Sequence, residues 1–89
     1  MNTARRISAW LKQTYGVARV VLFGSVATNR RLRSRSDIDV AVWGLDAASY
    51  YEAVAQVQDE AVPFTVDLLR IERCPHSLRA AIGEEGVEL

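Results

Sequence analysis

Eighty-nine residues, 49% of them hydrophobic and 25% charged, with eleven basic against eleven acidic side chains, describe one small domain of zero formal charge spanning residues 1–89. No apolar run approaches the roughly 20 residues that cross a bilayer, which excludes a membrane protein, and the first residues lack the apolar stretch of a signal peptide, which disfavours a secreted one, so a cytoplasmic protein is expected. The single cysteine, Cys74, cannot form an internal disulfide, and with the lone His76 it cannot build a four-ligand zinc site.

Asn2 or Thr3 is placed to cap a first helix running to about Tyr15. Ile7, Trp10, Leu11 and Thr14 recur at helical spacing, and Gly16 supplies a left-handed stop. Val17 to Phe23 is nearly continuous apolar and β-branched, the pattern of a buried central strand, and it ends at Gly24-Ser25. A short helix and then a loop are expected next, the latter carrying Arg30, Arg31, Arg33 and Arg35. All basic residues but Arg70, Arg73 and Arg79 lie in residues 1–36, and every carboxylate lies beyond them. That asymmetry suits a polyanion, a nucleotide or an acidic protein, although the two halves also neutralise each other in a compact fold.

Asp37 to Trp43 alternates, with Ile38, Val40 and Val42 on one face and Asp37, Asp39, Ala41 and Trp43 on the other, before Gly44 ends the strand. Asp46 is placed to cap a helix to about Ala61, whose apolar stripe is Tyr50, Val54, Val57 and Ala61. After Pro63 a third strand, Phe64 to Leu69, sets Phe64, Val66 and Leu68 opposite Thr65, Asp67 and Leu69. Pro75 opens a last short helix that packs through Leu78, Ala81 and Ile82 before Gly86. The order predicts a small α/β (α+β) domain, a mixed sheet of three to four strands flanked by helices.

Three aspartates stand in strands, where this residue is disfavoured. Asp37 and Asp39, two apart, share a face with Cα atoms roughly 6.5–7 Å apart. Like charges held so close repel unless a cation sits between them. Magnesium fits, since it uses one or two protein carboxylates plus substrate phosphates. If the third strand lies beside the second, Asp67 reaches the same face, and three carboxylates suffice for two metals about 3.5–4 Å apart. Gly24-Ser25 adds a turn whose backbone approaches a phosphate closely and whose N–H groups and hydroxyl donate to it.

Leu22-Phe23-Gly24-Ser25-Val26-Ala27, then Ser36-Asp37-Ile38-Asp39-Val40, then Thr65-Val66-Asp67-Leu68 resembles the nucleotidyltransferase superfamily of DNA polymerase beta, kanamycin nucleotidyltransferases and poly(A) polymerases. The likeness is greatest to the stand-alone minimal nucleotidyltransferases (MNT), whose closing helix is similar to Leu78–Val87, so it covers nearly the whole chain. The resemblance implies a small nucleotidyltransferase fold in which Gly24 and Ser25, with Arg35 and Ser36, hold a nucleoside triphosphate. Asp37, Asp39 and Asp67 would bind two Mg2+ ions, or Mn2+, and Asp67 would also act on the incoming hydroxyl. It further implies a HEPN-domain ribonuclease toxin as partner in a hetero-oligomeric complex, with the MNT protein as antitoxin transferring AMP from ATP to a tyrosine of the toxin. The competing expectations are a module that neutralises the toxin by masking it, and a nucleic-acid-binding regulator acting through the arginine loop. The latter is disfavoured by zero net charge and the lack of a helix-turn-helix pattern. Outside the constellation, Trp43 is expected in core or interface, His76 at a helix start, Cys74 inert, and Tyr50 and Tyr51 as core and flank of the long helix.

Overall fold

The computed structural model describes residues 2–23 and 37–89, with only the backbone of Asn2 and Asp37. Helix α1 (Asn2–Tyr15) leads into strand β1 (Arg19–Phe23), and strand β2 is Asp37–Trp43. A 3-10 turn (Ala47–Ser49) runs into helix α2 (Tyr50–Ala61), followed by strand β3 (Thr65–Arg70), a second 3-10 turn (Ile71–Arg73), helix α3 (His76–Glu85) and strand β4 (Val87–Glu88). No described helix is long and apolar enough to cross a membrane.

The sheet order is β3-β2-β1-β4. β1 pairs antiparallel with both β2 and β4, while β2 and β3 are parallel. Parallel neighbours need a crossover, and α2 provides it. The expected mixed sheet is therefore present, with one strand the sequence pattern did not indicate: β4 has two residues, too few for any period to show.

Alternation along the strands builds two unequal cores. On one face Val20, Leu22, Ile38, Val40, Val42, Val66 and Leu68 pack beneath Ala4, Ile7 and Leu11 of α1 and Ala53, Val57 and Ala61 of α2. The smaller core on the opposite face joins Val21 and Ala41 to Ile71 and Ile82, with Phe23, Trp43, Cys74 and Leu78 at its margin. Gly86 is fixed by this second packing. A Cβ there would meet the Val21 side chain and lie 2.5 Å from the Ile82 carbonyl oxygen.

Several expectations need correction. Asn2 and Thr3 lie inside α1 rather than capping it. Asp46 precedes the 3-10 turn, and its side chain makes no capping bond there. The first strand begins at Arg19, with Val17 buried ahead of it. Thr14 and Ala81 are exposed, because the core side of each helix is completed by residues nearer its axis of contact, Ala4 and Ile82. Gly16 does adopt the left-handed backbone, φ +68°, and its N–H returns to the Lys12 carbonyl at 3.0 Å.

Candidate active site

The sheet register sets the site. Phe23 of β1 pairs with Asp39 of β2, and Asp39 pairs with Asp67 of β3, so one row across three strands reads Phe23–Asp39–Asp67. Residues opposite one another on neighbouring strands point to the same face, and the strands lie about 4.8 Å apart. The structure thus brings Asp39 and Asp67 together, the former half-buried and the latter exposed. Asp37 opens β2, its backbone paired with Thr65. Gly24, Ser25, Arg35, Ser36, the short helix expected after Ser25, and the arginines at 30, 31 and 33 lie outside the described residues. The described chain nevertheless leaves β1 at Phe23, directly beside Asp39.

Two aspartates abreast with oxygen donors alone match the preference of a hard divalent ion. Among the residues whose side chains are described, no group of three metal-ligating side chains gathers, so the described donor set is this pair.

β3 is the outer strand of the described sheet, and α2 reaches over its free side. Gln58 Nε2 donates to the Val66 carbonyl at 2.7 Å, and the Val66 N–H donates to Gln58 Oε1 at 3.0 Å. Tyr50 Oη donates to the Leu68 carbonyl at 2.7 Å. Burial foremost, and then the negative charge of Asp67, push the Tyr50 phenol above its ordinary range, so it stays a donor. Neither Gln58 nor this use of Tyr50 was foreseen. The available signal was phase: Gln58 follows Val54 by four residues and Tyr50 by eight, which sets a polar amide along the apolar stripe.

The remaining candidates fall elsewhere. Trp43 sits under the Arg19 guanidinium, 4.4 Å from carbon to ring centroid, and the same guanidinium forks onto Glu88 through bonds of 3.0 and 2.8 Å. The hydrogen bond from Arg19 holds the Glu88 carboxyl below its usual range. Trp43 is thereby a packing residue with a cationic lid. His76 is exposed at the start of α3. Burial pushes the Cys74 thiol up, and its Sγ donates to the Arg70 carbonyl at 3.4 Å, consistent with an unreactive thiol. A pocket of about 410 Å3 lies toward the C-terminal end of β3, between Tyr50, Tyr51, Arg70, Arg73 and Leu78. Its lining includes neither aspartate, so the pocket and the carboxylate pair are neighbouring but separate features.

A profile of the family described as polymerase beta, nucleotidyltransferase, matches residues 5–89. Among proteins of curated function no sequence match is found. Among solved structures, a toxin–antitoxin assembly with AMP-PNP is similar at 25% identity and a TM-score of 0.78, over 99% of this chain and 72% of that one. A minimal nucleotidyltransferase shares 27% identity at a TM-score of 0.75, over 97% and 90% of the two chains. The complex of a tri-AMPylated HEPN toxin with its MNT antitoxin from Shewanella oneidensis shares 22% identity and the fold, with a TM-score of 0.74 over 98% of this chain and 68% of that one.

Proposed function

Because the chain belongs to the polymerase beta nucleotidyltransferase family, we propose that it transfers AMP from ATP to a hydroxyl of a HEPN-type ribonuclease toxin and so serves as that toxin's antitoxin. The observation that carries the reading is the Asp39–Asp67 pairing across β2 and β3, beside the end of β1 from which Gly24-Ser25 departs. The likenesses to an AMP-PNP-bound toxin–antitoxin and to an MNT antitoxin complexed with AMPylated toxin support the choice of nucleotide and partner.

In this reading Asp37, Asp39 and Asp67 hold two Mg2+ ions, for which Mn2+ can substitute. Bound metal supplies neutralisation of charge on the reacting phosphates. Gly24 and Ser25 direct backbone N–H groups and a hydroxyl onto the triphosphate, with Arg35 and Ser36 completing the cradle. The acceptor oxygen attacks the α-phosphorus in line. Its new bond to phosphorus forms as the bond to pyrophosphate breaks, and the hydroxyl proton passes to the Asp67 carboxylate. Positioning and charge complementarity provide most of the acceleration.

The test is the intact mass of the toxin after incubation with this protein, ATP and Mg2+. Each transferred AMP adds about 329 Da to the acceptor. An unchanged mass, together with full toxin neutralisation by an Asp37→Ala/Asp39→Ala variant, would replace enzymatic transfer by simple masking.

A further inference from the structure

An outer strand has a ladder on one side only. In a parallel pair, alternate residues turn both backbone groups toward the neighbour and the residues between turn theirs outward. Val66 and Leu68 are the outward ones in β3, since α2 side chains bind their backbone groups. Asp67 lies between them, in register with Asp39 on the inner side. The two peptides that flank Val66, the second of which joins it to Asp67, are therefore gripped on their outer edge by the two ends of one carboxamide, and the carbonyl one residue beyond Asp67 by a phenol. Gln58 Nε2 also reaches the Val54 carbonyl at 3.3 Å, which ties the amide back to its own helix.

We infer that Gln58, assisted by Tyr50, is a positioning residue for Asp67: it takes the place of a missing neighbour strand and fixes the backbone from which this carboxylate meets Asp39. The inference rests on the reading of Asp67 as a metal-binding carboxylate. Edge protection against pairing with another chain would use the same bonds, but it makes no demand on the placement of Asp67. A metal site does, because its ligands must be held within about 0.5 Å of the required geometry.

The two roles separate experimentally through metal affinity. Binding of Mn2+ in the presence of a nonhydrolysable ATP analogue, followed by the electron paramagnetic resonance of free Mn2+, is compared with the melting temperature. Gln58→Met removes both bonds at similar side-chain length and raises half-saturating Mn2+ by about 10–100-fold, the range seen when the partners of a metal ligand are deleted. Gln58→Glu keeps the acceptor for the Val66 N–H and recovers part of that loss, and Tyr50→Phe gives a smaller rise. Ala53→Gly, buried in α2 away from the clamp, lowers the melting temperature with no change in Mn2+ affinity. Should Gln58→Met not fold, Gln58→Glu and Tyr50→Phe carry the comparison. Lower melting with half-saturating Mn2+ within twofold of the parent in the Gln58 and Tyr50 variants overturns the positioning role, while a rise in Asp67→Asn keeps the carboxylate reading intact. An Asp67→Asn variant with unchanged Mn2+ affinity overturns that reading, and the positioning role with it.

Discussion

Asp39 and Asp67 carry the functional argument, and their neighbourhood makes the effect of losing either one specific. Asp67 is exposed, so replacing it costs the fold little and relieves like-charge repulsion with the half-buried Asp39. Asp67→Asn should lower transferase turnover at least a hundredfold, in line with the several kcal/mol that charge stabilisation by metal supplies, while unfolding free energy stays within about 0.5 kcal/mol of the parent. Turnover by toxin mass shift and stability by urea titration check the two halves of that statement. Gly86 gives the opposite profile. Gly86→Ala must displace the Val21 side chain or the Ile82 carbonyl, and overpacking of this kind costs about 1–3 kcal/mol. Both aspartates were legible in the sequence because a carboxylate in a β-strand contradicts its surroundings. Gln58 was not, because a glutamine in a helix is ordinary until the strand beneath it is known to lie at the sheet margin.

The elements differ in how clearly their residues announce them. β2 runs from Asp37 to Trp43 as its alternation predicts, and α2 ends at Ala61 where its apolar stripe does. Helix starts were harder to read, since Asn2, Thr3 and Asp46 are good capping types whose use depends on the chain's approach to the helix. The 3-10 turn after β3 shows what tertiary contact adds. Glu72, in that turn, accepts the Gly44 N–H at 3.0 Å, joining the exit of β2 to the exit of β3. Burial works against its charge, but the Gly44 and Glu72 backbone N–H groups with Arg70 and Arg79 outweigh it, leaving the carboxyl below its ordinary range. A carboxyl depressed in the folded state contributes stability above its unfolded pKa, and that stability is lost as pH falls through the folded value. Melting temperature should therefore decline from pH 5 toward pH 3 more steeply in the parent than in Glu72→Gln. The variant keeps an acceptor for Gly44 but has no charge to lose.

For the molecule as a whole, the division of labour between the two sheet faces explains how so small a domain presents a carboxylate pair. One face buries its apolar strand residues under α1 and α2, and among the described residues the opposite face is covered through Ile71 and Ile82. The acidic row stands on this second face. Family and fold were legible because the Gly-Ser turn, the Asp-x-Asp strand and the later strand aspartate occur in one order with one spacing. The convergence of Asp39 with Asp67 was not, because it depends on strand order, which α2 decides by crossing between parallel neighbours.

The alternation of β2 has a consequence for how the protein tolerates change. Replacing Ile38, Val40 or Val42 one at a time with a polar residue should deplete the amount of folded protein in the cell and leave each surviving molecule as active as before. Substituting Asp39, on the other face, should silence every molecule whatever its effect on abundance. Scored for both abundance and neutralisation of the toxin, Ile38, Asp39 and Val40 would separate the two effects at consecutive positions, and Ala41, buried in the second core, would again act through abundance.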